Sequence, residues 1–206
     1  MNIAVFASGR GTNFAAIIRA VKKGKIKASL ALLICDNPKA GAISRAKRAQ
    51  IKVALVKKED FPSNKDFEAN ILQHLAEHNT DLIVLAGFMR ILGPELVQKY
   101  QGRILNIHPA LLPSFKGVQA IKDAFDYGVK VTGVTVHFVD EKMDHGPIIL
   151  QEAVQIEEDD TLESLEAKIH KLEHRLYPEV IRLYTEGKLK IIDRKVKIIS
   201  PLKKIL

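Results

Sequence analysis

The sequence is poor in the features that mark several protein classes. Its 206 residues include one cysteine, Cys35. No internal disulfide can form, which excludes a disulfide scaffold and a cysteine-based zinc site. No apolar stretch reaches the roughly 18–20 residues of a membrane span. No basic segment precedes the first apolar residues, Met1-Asn2-Ile3-Ala4-Val5-Phe6, so the start reads as a strand rather than a signal peptide. No repeat, low-complexity tract or clear linker divides the chain. One domain is expected, since domains usually run about 100–200 residues, and its expected setting is the cytoplasm. What is present is 47% apolar and 27% charged residues, a globular composition that excludes a disordered or fibrous chain.

The net charge of +8 invites a nucleic-acid reading, but its distribution weakens it. From Gly187 to Leu206 seven basic residues face one acid, Asp193, which leaves +2 for the other 186 residues. The tail therefore reads as a solvated basic strand pair and fraying end, with attraction of anionic ligands as the sharper alternative. No aromatic residue is interleaved with the tail lysines, which argues against a stacking platform for single strands.

Short apolar runs alternate with helical periodicities along the first half. Strands are expected at 2–7, 28–35, 53–56, 81–86 and 103–107. Helices are expected after Asn13 and at 42–49, 65–78 and 94–99. This is a mostly parallel α/β sheet with helices on both faces, of Rossmann-like plan, and its ligands should sit at the carboxyl ends of the strands. After Pro113 the pattern changes. A helix at 119–127 precedes two adjacent strands, 130–139 and 147–154, which should extend the sheet as an antiparallel pair. Thr161 and Ser164 open a long helix to about Glu186, and Lys188–Ile199 reads as a terminal hairpin or extended segment.

Three segments carry candidate chemistry. Ser8-Gly9-Arg10-Gly11-Thr12-Asn13 joins a strand to a helix start, where glycines let the backbone approach an anion and free amides receive it. It is not a dinucleotide fingerprint, because Phe14 stands where the third glycine belongs, although Asp36 imitates the ribose-binding acid. Asn106 and His108 are two residues apart at a strand end and so share a face. Together they offer an amide donor and a group that titrates near neutrality, suited to stabilising an oxyanion and moving a proton. Asp140-Glu141-Lys142-Met143-Asp144-His145-Gly146-Pro147 is a polar loop between strands. Its Asp144 acquires a role only if the fold brings it to His108, where a carboxylate favours the imidazolium form.

Read together, five strings resemble the folate-dependent formyltransferase family, and within it the glycinamide ribonucleotide transformylases of purine synthesis. They are 7–13 (ASGRGTN), 106–117 (NIHPALLPSFKG), 133–140 (GVTVHFVD), 144–149 (DHGPII) and 173–178 (EHRLYP). The resemblance covers essentially the whole chain. It implies formyl transfer from 10-formyltetrahydrofolate, as co-substrate, to the glycyl amine of glycinamide ribonucleotide, without a metal. It implies Asn106, His108 and Asp144 as the catalytic trio. Gly11, Thr12, Asn13, His170 and Glu173 would hold the ribonucleotide. Met89, Arg90, Ile91, Leu92, Asn106, Asp140 and Asp144 would line the folate site, with Asn64 or Lys65 near the folate tail. His137, inside one of the strings, is expected to be a packed strand residue. Residues 1–100 would form the nucleotide- and phosphate-binding half, 101–186 the catalytic and folate-binding half, and 187–206 a basic extension. The expected partners are these two small molecules, not nucleic acid or a membrane, with the protein a monomer or homodimer. Methionyl-tRNA formyltransferase and formyltetrahydrofolate deformylase share the core, but each carries a further domain for which this chain has no matching segment.

Overall fold

The computed structural model describes residues 1–199. The strands are β1 (Asn2–Phe6), β2 (Ser29–Cys35), β3 (Lys52–Leu55), β4 (Leu82–Leu85), β5 (Ile104–His108), β6 (Val131–Phe138) and β7 (Ile148–Gln155), followed by β8 (Leu189–Ile192) and β9 (Lys195–Ile198). The helices are α1 (Thr12–Lys22), α2 (Gly41–Arg48), α3 (Asn64–Glu77), α4 (Pro94–Lys99), α5 (Ala120–Tyr127) and α6 (Leu162–Thr185). A single 3₁₀ turn at Lys58–Asp60 is the one described element without a counterpart in the sequence reading.

Seven strands form one sheet in the order β3-β2-β1-β4-β5-β6-β7. The first five are parallel, while β6 runs antiparallel to β5 and β7 antiparallel to β6. The apolar runs of β1 and β4 are buried on both faces, as the centre of a helix-covered sheet requires. One core lies between the sheet and α1, α2 and α6, around Phe14, Ile17, Leu105, Leu165 and Tyr177. The other lies under α3 and α4, around Phe6, Phe67, Ile71 and Leu96.

The strand order reverses at β1. From β1 the chain moves outward through β2 to β3, then returns to β4 on the opposite side of β1. That reversal opens a crevice beyond the carboxyl ends of β1, β4 and β5, where doubly wound sheets hold ligands. Helix α6 begins with a capping box in which the Thr161 hydroxyl accepts from the Ser164 amide and the Ser164 hydroxyl accepts from the Thr161 amide. Its buried Tyr177 hydroxyl bridges the carbonyls of Leu85 and Leu105, at 2.8 and 2.9 Å, and so ties α6 to β4 and β5 beside the crevice. The terminal segment is a hairpin, β8 with β9, forming a separate two-stranded sheet. Of the basic tail, Lys203 and Lys204 lie outside the described residues.

Candidate active site

The crevice is a cleft of about 570 Å³, within the usual range for small-molecule sites. Its floor at one end is the loop between β1 and α1. Gly11 takes φ +70, and a Cβ there would stand 2.9 Å from both Cα and Cβ of Ala42, so α2 packs against the bare glycine. No side chain caps α1 and no acid lies in its first turn. The amides of Thr12, Asn13 and Phe14 therefore lack intrahelical acceptors at the positive end of the helix dipole, which suits an anion.

This loop is braced from α6. Asn13 Nδ2 donates to Glu173 Oε2 at 3.0 Å, and His170 Nδ1 donates to the same oxygen at 2.9 Å. Asn13 Oδ1 is buried without a partner among the described residues, leaving an acceptor unspent beside the anion loop. The hydrogen bond to Glu173 raises the His170 pKa against the opposing effect of burial. Arg10 Nη2 lies 3.4 Å from His170 Nε2. Four cleft residues from two distant parts of the sequence, Arg10, Asn13, His170 and Glu173, thus form one polar wall.

At the other end, Asn106 and His108 point together from β5, as their spacing predicts, and both line the cleft. The His108 ring is anchored by Nε2–H donating to the Phe115 carbonyl at 2.7 Å, which turns Nδ1 towards Asp144 Oδ2 at 3.5 Å. The Gly117 amide donates to the same carboxylate at 2.9 Å. The 109–117 loop therefore positions both groups. That loop is itself fixed by buried Thr135, whose hydroxyl donates to Ala110 O at 2.6 Å and accepts from the Leu112 amide at 3.1 Å. Gln151 donates to both the Leu112 carbonyl and the Thr135 hydroxyl.

His137 is more than a packed strand residue. It is fully buried, but the antiparallel register puts it opposite Asn106, and its Nε2 lies 3.2 Å from Asn106 Nδ2. Its Nδ1–H donates to the Phe138 carbonyl at 2.7 Å. Burial holds its pKa below the usual histidine value, so the neutral ring accepts from Asn106 through Nε2. Alternation along β6 sets His137 on the face opposite Val134, Val136 and Phe138, and the β5–β6 register makes that the face of Asn106 and His108.

Met89, Arg90, Ile91, Leu92, Asp140 and Asp144 all line the cleft. Met89 and Ile91 are 60% and 74% exposed, giving the mouth an apolar rim. Ser8 Oγ accepts from the Met89 amide at 3.0 Å and holds this segment against β1. Asp36, which imitates a ribose-binding acid in the sequence, is not among the residues lining the cleft; Arg90 Nε donates to its Oδ2 at 2.6 Å, and its Oδ1 is buried without a partner among the described residues. Asn64 and Lys65 do not line the cleft. They begin α3, where the Ser63 hydroxyl caps the Asp66 amide, and Glu68 accepts from the Gly93 amide. Among the described residues, no group of three or more His, Cys, Asp or Glu side chains is arranged to hold a metal ion. No described helix is long and apolar enough to cross a membrane.

A helix start suited to an anion and an amide–imidazole–carboxylate cluster line one cleft on a doubly wound α/β sheet, the arrangement of a small-molecule enzyme site. The model of the family described as formyl transferase matches residues 1–181, and the chain belongs to that family. It is 51% identical over 179 residues to the phosphoribosylglycinamide formyltransferase of Bacillus subtilis (strain 168), covering 87% of this chain and 92% of that protein. The solved glycinamide ribonucleotide transformylase 1 from Symbiobacterium toebii matches with a TM-score of 0.94 at 43% identity, over 97% of this chain and 94% of the other. A formyltetrahydrofolate deformylase from Pseudomonas syringae pv. tomato str. DC3000 matches with a TM-score of 0.90 at 26% identity, over 97% of this chain but 66% of the other.

Proposed function

We propose that the protein transfers the formyl group of 10-formyltetrahydrofolate to the glycyl amine of glycinamide ribonucleotide, releasing tetrahydrofolate and formylglycinamide ribonucleotide. The observation that carries this reading is the meeting of Asn106, His108 and Asp144 on the wall of the cleft that also holds the Gly11–Asn13 loop. The chemistry of the lining suits both substrates. Gly11, Thr12 and Asn13 take the phosphate, and Glu173 with His170 takes the sugar side. The apolar rim at Met89 and Ile91 and the Asp140–Asp144 loop take the folate. Arg90 and Leu92 complete that wall.

The amine nitrogen attacks the formyl carbon, and negative charge grows on the formyl oxygen. Asn106 donates to that oxygen with the Nδ2 hydrogen that His137 leaves free. Protonated His108 donates from Nδ1, because its Nε2–H is committed to Phe115. Asp144 stabilises the imidazolium and accepts the amine proton through water. As the formyl carbonyl re-forms and the carbon–nitrogen bond to the folate breaks, that nitrogen takes through water the proton that Asp144 received, which returns Asp144 to its carboxylate. Both substrates are held in register by opposite ends of a single cleft, which lowers the barrier by removing the entropic cost of encounter.

The decisive experiment follows tetrahydrofolate release from 10-formyltetrahydrofolate with and without the ribonucleotide. Release that requires the ribonucleotide and yields its formylated product is expected. Release with water alone as acceptor would overturn the transferase in favour of a hydrolase. The assignment extends to a cytoplasmic protein, monomeric or homodimeric, supported by a lone buried Cys35 that suits a reducing compartment.

A further inference from the structure

The β8–β9 hairpin reaches back to the cleft loop at its tip. Packing of β9 against β7 carries Arg194 to His145. Arg194 Nη2 donates to the His145 main-chain carbonyl, and its Nη1 lies 3.4 Å from His145 Nδ1. His145 Nδ1 in turn donates to Asp140 Oδ2 at 2.7 Å, and Asp140 Oδ1 accepts from the Lys142 amide at 3.0 Å. Arg194 thus terminates a chain of contacts that spans the loop from Asp140 to His145.

The loop needs such a tie. Met143 is 51% exposed and supplies little packing. Asp144 holds φ +48, a left-handed conformation that is uncommon outside glycine, asparagine and aspartate. Gly146 closes the loop where a Cβ would collide with the Phe138 carbonyl. The tie comes from beyond residue 181, where the match to the family model ends.

We propose that Arg194 is a positioning residue, and that the terminal hairpin is a strut holding the Asp140–His145 loop in the shape that receives the folate. This rests on the reading of that loop as a folate wall. The Asp144 carboxylate is anchored separately by the Gly117 amide, so the strut acts on folate binding and leaves the chemical step little changed.

The test uses the full chain with Arg194→Ala and Arg194→Lys. Arg194 is exposed, so both variants keep the fold. Arg194→Ala should raise KM for 10-formyltetrahydrofolate about tenfold, the scale of one charge-assisted hydrogen bond. KM for the ribonucleotide, kcat and Tm should stay unchanged, and Arg194→Lys should recover part of the loss. Hydrogen exchange at the amides of 140–146 should quicken in Arg194→Ala. An unchanged folate KM, or both KM values rising together with a fall in Tm, would overturn the proposal. Absence of folate-dependent transfer by the wild-type protein would sink the functional reading alone. The exchange measurement would still decide the strut, and unaltered exchange would overturn it.

Discussion

Asn106 and His137 face each other across the antiparallel ladder of β5 and β6, with Nδ2 and Nε2 3.2 Å apart. The neutral imidazole is a fixed acceptor, and it determines which way the amide presents its remaining hydrogen to the cleft. Asn106→Ala should lower kcat about 100- to 1000-fold, the usual cost of one oxyanion donor. His137→Phe should lower it about 10- to 100-fold, because the amide loses its orientation but remains. The double variant should be no slower than Asn106→Ala alone, and steady-state kinetics on all four proteins measures this. Additive losses would show that His137 acts independently of Asn106.

His108 is held so that one nitrogen is committed to Phe115 and the other faces Asp144. His108→Ala should lose turnover while circular dichroism reports an intact fold. Asp144→Asn keeps the shape and a hydrogen-bond acceptor for the Gly117 amide but removes the charge. Turnover should fall while circular dichroism again reports an intact fold. Near-wild-type turnover in steady-state kinetics would remove Asp144 from its proposed role.

Gly11 combines a left-handed backbone with the close approach of α2. Gly11→Ala adds both backbone strain and overpacking, each of which costs about 1–3 kcal/mol. Chemical denaturation should register a loss on that scale. KM for the ribonucleotide should rise more than KM for the folate, because the first-turn amides of α1 move with the loop.

The raised pKa of His170 makes stability depend on pH with a definite sign. The folded value lies above the unfolded one, so the contribution of the His170–Glu173 pair is fully present below about pH 6.5 and is lost as pH rises through the raised value. The thermal stability advantage of the wild-type protein over His170→Ala should therefore be largest in mild acid and shrink above neutrality. A difference that stays flat across this range would show that no proton is linked to the pair.

Much of this architecture was legible because local signals agreed with the global plan. Apolar runs marked the buried strands, Thr161 and Ser164 marked the start of α6, and α4 matches its expected range. The two-residue spacing of Asn106 and His108 gave their common face. What stayed hidden depended on register or on long-range pairing. His137 became part of the site only through its position opposite Asn106. Asp36 imitates a ribose-binding acid in sequence, yet the fold buries its side chain outside the cleft lining and pairs its Oδ2 with Arg90, far along the chain. Asn64, placed near the folate tail by resemblance, begins α3 behind the Ser63 cap and is not among the residues lining the cleft. The contact of Arg194 with His145 joins residues 49 positions apart through a packed hairpin, and no pattern in either segment announces it.

Glu173 and Tyr177 lie one turn apart on α6, the first braced against the anion loop and the second clamped to the carbonyls of β4 and β5. One stiff rod therefore fixes the spacing between the loop proposed to take the phosphate and the strands beside the proposed reacting groups. The cleft behaves as a ruler. A ligand whose amine sits one methylene farther from its phosphate should dock its anion normally yet overshoot the reacting carbon, so that discrimination by length appears in kcat rather than in affinity.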